Sequence, residues 1–206
     1  MKKIAAALCL VFLISLPAFG GGFKFHFGPA FTNLKIENIS YAPFEKKPLL
    51  QFAGGIGLEL SFTSNIALEF DIMYNPGGAK WTYTIPAGDV VFTYKGYGVA
   101  VPVLLKFSFL SGTTPYIVAG GTLAYTTSQK MHEDYPGGTF DADFTDDVAR
   151  FQYALTFGGG LEIVLGGMTF LIEGRYSLGL SNVLKEPFDD EKVSVQNIFI
   201  LFGYKF

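Results

Sequence analysis

Nine ionisable side chains in this 206-residue chain stand among apolar or very small neighbours: Lys24, Glu59, Glu69, Asp71, Lys106, Glu162, Glu173, Arg175 and Lys205. Isolated charges in such surroundings are costly, and opposite signs that pair and hydrogen-bond offset the cost. Four are cations and five are carboxylates. The chemistry they offer is a mutual ionic network, with a proton or ion path as the alternative. A second cluster, Asp141, Asp143, Asp146 and Asp147 with Glu133 and Asp134 nearby, carries oxygen ligands at a density a divalent cation would accept. It lacks the Gly turn and closing Glu of an EF-hand loop, so a solvated acidic loop is the preferred reading. Catalysis finds little material. His26 and His132 are the only histidines, and there is no nucleophile elbow, phosphate loop or metal-binding His pair. No enzyme activity and no cofactor are expected.

The elements that must position these charges are strands. Counting back from the end, Phe206, Tyr204, Phe202, Ile200 and Ile198 share one face, while Lys205, Gly203, Leu201, Phe199 and Asn197 share the other. That is period two, and the segment is long enough to cross a hydrocarbon slab of about 30 Å as a tilted strand. The same alternation recurs along the chain, and about eight strands are predicted. Connections after the second, fourth and sixth are short, and those after the first, third, fifth and seventh are long. Charged residues make up only 16 % of the chain against 17 % aromatics, with 25 Gly, a balance too oily for a water-exposed all-β surface. No segment after the amino-terminal apolar run is long enough for an apolar spanning helix. The expectation is an all-β fold, an eight-stranded antiparallel up-and-down transmembrane β-barrel with short periplasmic turns and longer extracellular loops. A closed ring is required, because an open sheet would leave unpaired backbone groups in hydrocarbon.

At the amino terminus, Lys2 and Lys3 precede a short apolar run from Ile4 to Leu16, and Ala18-Phe19-Gly20 offers small residues for cleavage. Residues 1–20 therefore read as a secretory signal and 21–206 as one barrel domain. The only cysteine, Cys9, falls in the signal, so the mature chain has no thiol. Loss of Lys2 and Lys3 takes the formal charge from −3 to −5, which offers no nucleic-acid footprint.

In an eight-stranded barrel the interior is just wide enough for side chains. The bulky face therefore belongs outside, and the face of Gly, Ala, Ser, Thr and sparse charges belongs inside. The charges gather in the periplasmic half. The inward positions above them, among them Ala53, Gly55, Gly98, Ala124 and Ser177, suggest a shallow weakly polar cup open to the exterior, or else glycines that merely permit curvature. After a break expected at Asn75-Pro76-Gly77-Gly78, Lys80 to Ile85 and Val90 to Lys95 form a projecting hairpin. Its Trp81, Tyr83, Phe92 and Tyr94 would serve either as an edge that recruits a partner strand or as an interfacial aromatic girdle.

The segments VPVLLKFSF (Val101 to Phe109), PYIVAGG (Pro115 to Gly121), FGGGLEI (Phe157 to Ile163) and LIEGRYSLGLSNV (Leu171 to Val183) resemble the PorT-like outer-membrane β-barrel family. The resemblance covers almost all of the mature chain. It implies location in the cell outer membrane, and recognition of Phe202, Tyr204 and Phe206 by the barrel-assembly machinery. It also implies membership of a protein-secretion system as one alternative. The expected partners are outer-membrane lipid and lipopolysaccharide, with a surface ligand or secretion component beyond them. The chain is expected to be a monomer. The function expected is structural or surface-interacting with a lumen closed by ions, and the alternative is a narrow porin-like channel for water, ions or small solutes.

Overall fold

Residues that alternate between bulky and small pair into a ring in the computed structural model, which describes residues 21–37, 45–109, 113–186 and 190–206. The expected signal segment, residues 1–20, lies outside the described residues. Ten strands are present among the described residues: β1 (Gly21–Glu37), β2 (Glu45–Lys47), β3 (Leu49–Ser61), β4 (Ile66–Ile85), β5 (Gly88–Ser108), β6 (Thr114–Tyr135), β7 (Gly138–Asp143), β8 (Phe151–Leu165), β9 (Met168–Gly179) and β10 (Lys192–Lys205). Eight of them close on themselves in the order β4-β3-β1-β10-β9-β8-β6-β5, with β5 returning to β4. Every pairing is antiparallel, and the first and last strands meet from Lys24 opposite Lys205 to Glu37 opposite Lys192. The fold is an eight-stranded antiparallel up-and-down barrel.

The outer wall is apolar, with Phe52 70 % and Ile56 65 % exposed, and Ile72, Leu105, Leu155 and Ile198 likewise outward. A wall of this kind is stable only against lipid. Aromatic rings gather at two levels. Phe25, Phe170, Tyr204 and Phe206 cluster near the short turns. Tyr74 stacks on Tyr97, and Tyr125 meets Phe151, toward the other end. These are the two girdles a bilayer's interfaces demand. Between β8 and β9 the chain turns in two residues, Gly166 with φ +58° and Gly167 with φ +83°. Both values lie in the left-handed region that the tightest hairpin turns need.

Three expectations are corrected. The chain does not break at Asn75–Gly78, because β4 runs through it and pairs Pro76 with Tyr97 and Gly78 with Lys95. The pairing of β3 with β4 ends at Gly54 opposite Tyr74, so Pro76 lies where its missing N–H no longer interrupts a ladder. The Gln51 side chain spans this gap, donating to the Gly77 carbonyl at 3.0 Å. Secondly, the hairpin of Trp81 and Tyr94 is paired along much of both sides. β2 covers one side at Lys80–Thr82, and β6 covers the other by pairing Lys130–Asp134 with Val91–Lys95. Thirdly, much of the acidic segment is a hairpin, since β6 continues to Tyr135 and β7 folds back on it. β4, β5 and β6, of 20, 21 and 22 residues, rise well past the bilayer, which a strand of about 9–11 residues already spans.

Candidate functional site

The inward face of the lower barrel holds the nine charged residues in one contiguous cluster. Register alone would set like charges together, for Glu59 lies directly opposite Glu69 and Lys24 opposite Lys205. Such pairs repel, and each side chain finds its counter-charge elsewhere. Lys106 Nζ donates to Glu59 Oε2 at 2.7 Å and Glu162 Oε1 at 2.6 Å, with Glu69 at 3.5 Å. Lys24 Nζ donates to Glu69 Oε2 at 2.6 Å and lies 3.4 Å from Asp71. Arg175 reaches Asp71 at 2.6 Å, Glu69 at 3.4 Å and Glu173. Lys205 bridges Glu59 at 3.0 Å and Glu162 at 2.8 Å, where the cluster meets solvent.

Two further features complete this layer: Tyr116, which the sequence does not single out, and Gly57, which it offers only as one of the small inward positions of the cup. Tyr116 is buried among the ions, where its hydroxyl donates to Glu173 Oε2 at 2.6 Å and Lys106 Nζ lies 4.3 Å from its ring centroid. Its parity matches that of Val118, which places it inward, but a lone tyrosine between small residues has no distinguishing pattern. Gly57 matters for what it lacks: a Cβ there would lie 2.1 Å from Asp71 Oδ1 and 2.7 Å from the Lys24 side chain. The bare backbone makes room for that ion pair. His26, one inward step above Lys24, is buried, and its Nε2 has no hydrogen-bond partner among the described residues.

Above the ions the lumen is packed, and the expected cup is not there. Met73, Phe199 and Leu201 fill the space beside Ala30 and Ala53. Over them lies a polar layer. The Asn197 amide donates to the Pro76 carbonyl at 3.1 Å, Thr122 and Thr156 hydroxyls are 2.8 Å apart, and Thr156 donates to Ser177 at 3.1 Å. Two cavities of about 30 Å³ lie at this level among the described residues, each about the size of one water. The inward glycines were legible, but large residues from other strands fill the volume they leave.

Open space lies further out, where a cavity of about 590 Å³ is walled by the ends of β1, β4, β5 and β10 and by the segments before β8 and after β9. Trp81 and Tyr94 point into it, their ring centroids 4.7 Å apart, in place of outward display. Tyr83 is exposed and Phe92 half-buried. The acidic candidates are separately engaged. Asp141 meets His132 Nδ1 at 2.7 Å, Asp143 accepts from the Thr145 N–H at 2.9 Å, Asp146 pairs with Arg150 at 2.8 Å, and Asp147 lines the cavity. Among the described residues no three His, Cys, Asp or Glu side chains converge as a metal site. Phe202, Tyr204 and Phe206 stand on the outer face beside the barrel seam.

Among solved structures, OprG of Pseudomonas aeruginosa is 15 % identical with a TM-score of 0.48, covering 91 % of this chain and 96 % of that one. Neisserial surface protein A is 13 % identical with a TM-score of 0.46, covering 90 % and 97 %. Ail, the attachment invasion locus protein of Yersinia pestis, is 16 % identical with a TM-score of 0.41, covering 90 % and 99 %. No curated protein matches the sequence. The profile of one family, described as outer membrane protein beta-barrel domain, matches residues 20–185. That match runs from the start of β1 past the end of β9, across most of the closed ring, and the chain accordingly belongs to the outer-membrane β-barrel domain family and resides in the outer membrane.

Proposed function

We propose that this barrel does not conduct along its axis and works at the cell surface through its extracellular end, without catalytic activity. The observation that supports this is the ionic layer: each of its nine charges contacts an opposite charge, and Arg175, Glu69 and Asp71 are almost wholly buried. Paired charges close a lumen, whereas unpaired ones would line a path. The packed layer of Met73, Phe199 and Leu201 adds a second barrier above it. The partners that fit are outer-membrane lipid, lipopolysaccharide bridged by divalent ions to the carboxylates of the acidic outer hairpin, and the assembly machinery acting on the last strand. Membership of the PorT-like subgroup, with a place in a secretion apparatus, rests on the resemblance of the strand segments.

The test is single-channel conductance of the protein refolded in a planar bilayer, with folding confirmed by heat-dependent gel mobility. A folded and electrically silent barrel is expected. Steady conductance that changes in Lys106→Ser, Glu162→Ser or Arg175→Ser would replace this reading with the porin-like channel.

A further inference from the structure

The inward face of a membrane barrel is ordinarily polar, yet at the outer end of this one it becomes aliphatic and aromatic. Leu34, Ala79, Val148, Val183 and Val193 form a buried cluster, with Ile36, Trp81, Tyr94 and Leu184 partly buried against it. Leu34 shares the inward parity of Ala30, Trp81 that of Met73 and Val193 that of Phe199, so contact with lipid does not call for them. These residues wall a cavity of about 590 Å³, inside the range of roughly 300–1,000 Å³ that encloses small ligands.

Three π-systems stand on that wall, Phe144 and the Trp81–Tyr94 pair, whose ring centroids are 4.7 Å apart. Two carboxylates stand with them. Asp147 and Glu191 make no ion pair among the described residues, whereas Asp146 is taken by Arg150 at 2.8 Å. Both are fixed through their backbones. The Asp147 N–H donates to the Phe144 carbonyl at 3.1 Å, and the Asp147 carbonyl accepts from the Lys185 N–H at 3.1 Å. The Glu191 carbonyl accepts from Asn182 Nδ2 at 2.7 Å, and Asn182 Oδ1 accepts from the Leu184 and Val193 N–H groups at 3.1 and 2.9 Å. One cation shares the wall, Lys46, on a strand whose three residues are all exposed, so its ammonium keeps its water. Two carboxylates against one ammonium leave the wall negative. Filling such a cavity strips water from the carboxylates. A neutral occupant returns nothing for that loss, and an anion adds repulsion. A cation offsets it, and aromatic faces attract the same charge.

We infer that this cavity binds an amphiphilic organic cation, an alkylammonium, its charge held by Asp147, Glu191 and the Trp81–Tyr94 rings and its hydrocarbon by Leu34, Ile36 and Leu184. The inference rests on the reading of a barrel that is closed below and acts at its outer end. Occupancy has a built-in reporter, because Trp81 is the only tryptophan in the chain.

The experiment titrates hexyltrimethylammonium, 1-hexanol and hexanoate separately into the protein folded in phosphatidylcholine vesicles at neutral pH and low salt, reading Trp81 emission. The ammonium should give a saturable change and bind more tightly than the alcohol, with hexanoate weakest. Asp147→Asn combined with Glu191→Gln keeps side-chain volume; it should weaken the ammonium about tenfold and leave the alcohol unchanged. Lys46→Gln should tighten the ammonium. Tyr94→Leu should weaken it about fivefold while the alcohol holds, and the carboxylate double variant decides the matter if Tyr94→Leu loses its heat-dependent gel mobility. Absence of saturation with the ammonium would overturn the site. Equal binding of ammonium and alcohol, or unaltered affinity in the double variant, would overturn the cation assignment. A silent barrel that ignores the ammonium would remove the site alone, and a conducting barrel that binds it would remove only the closed-lumen reading.

Discussion

Arg175 contacts three carboxylates, Glu69, Asp71 and Glu173, in a buried lumen. A buried ion set contributes little net stability compared with a well-packed apolar substitute, but removing one member strands the others. Arg175→Met should therefore cost about 3–5 kcal/mol in denaturant unfolding from vesicles. Lys47→Met, at the exposed Lys47–Glu45 pair, should cost less than about 1 kcal/mol. Gly57→Val tests the same layer by steric means, since its Cβ would intrude on Asp71 and Lys24; overpacking of this sort costs about 1–3 kcal/mol. If Arg175→Met unfolds like wild type, the ionic layer is not formed in the membrane. Outside the bilayer, His132 hydrogen-bonds Asp141 and lies 3.3 Å from Asp134. The hydrogen bond to Asp141, then the nearby carboxylates, raise its pKa above the usual 6.5. A raised folded-state value means that the contact supports the β6–β7 hairpin fully below pH 6.5, and that this support fades as pH rises through the folded value. An NMR titration should show His132 titrating above 6.5, and lower in Asp141→Asn than in wild type.

At the scale of elements, the Gly166-Gly167 turn is the sharpest local commitment. Positive φ at both residues, +58° and +83°, costs an ordinary side chain about 1–2 kcal/mol per position. Gly167→Val should lose about that much stability and slow refolding into vesicles, whereas Gly167→Asn should retain most of both. A neutral valine would show that the turn takes another conformation in lipid. This turn, like the inward or outward sense of every long strand, was legible because each depends on neighbours within a few residues. Strand period two places Lys106 and Glu162 inward without any knowledge of what they touch. The extension of β4 through Pro76 was not legible, because Pro and Gly are punctuation everywhere except where a strand has lost its neighbour on one side. The packed middle of the lumen was hidden for a related reason. Whether Phe199 fills the space left by Ala30 and Ala53 depends on how eight strands are staggered around the ring, which no single strand encodes. Trp81 and Tyr94 were misplaced as display residues by the same limitation: they read as hairpin aromatics until β2 and β6 pair alongside them and the rings turn inward.

For the whole molecule, two layers of constraint meet at different depths, lipid around the lower barrel and water around the strand ends. The girdles place the hydrocarbon between the level of Phe170 and Phe206 and that of Tyr74, Tyr97 and Tyr125. Ile72 and Val103 project outward between those levels, while Phe140 projects from β7 beyond them. A single arginine measures this placement, because its cost on the lipid face depends on depth. Ile72→Arg and Val103→Arg should each destabilise the folded barrel by about 2–4 kcal/mol, and Phe140→Arg by about 1 kcal/mol or less, in reversible guanidinium unfolding from vesicles. The difference carries the argument, since all three side chains are similarly exposed in the isolated chain, at 56 %, 38 % and 53 %. A penalty at Phe140 equal to those at Ile72 and Val103 would lower β7 into the bilayer. Costs near zero at Ile72 and Val103 would mean that water surrounds them. A graded result keeps the outer strand ends above the membrane, in water.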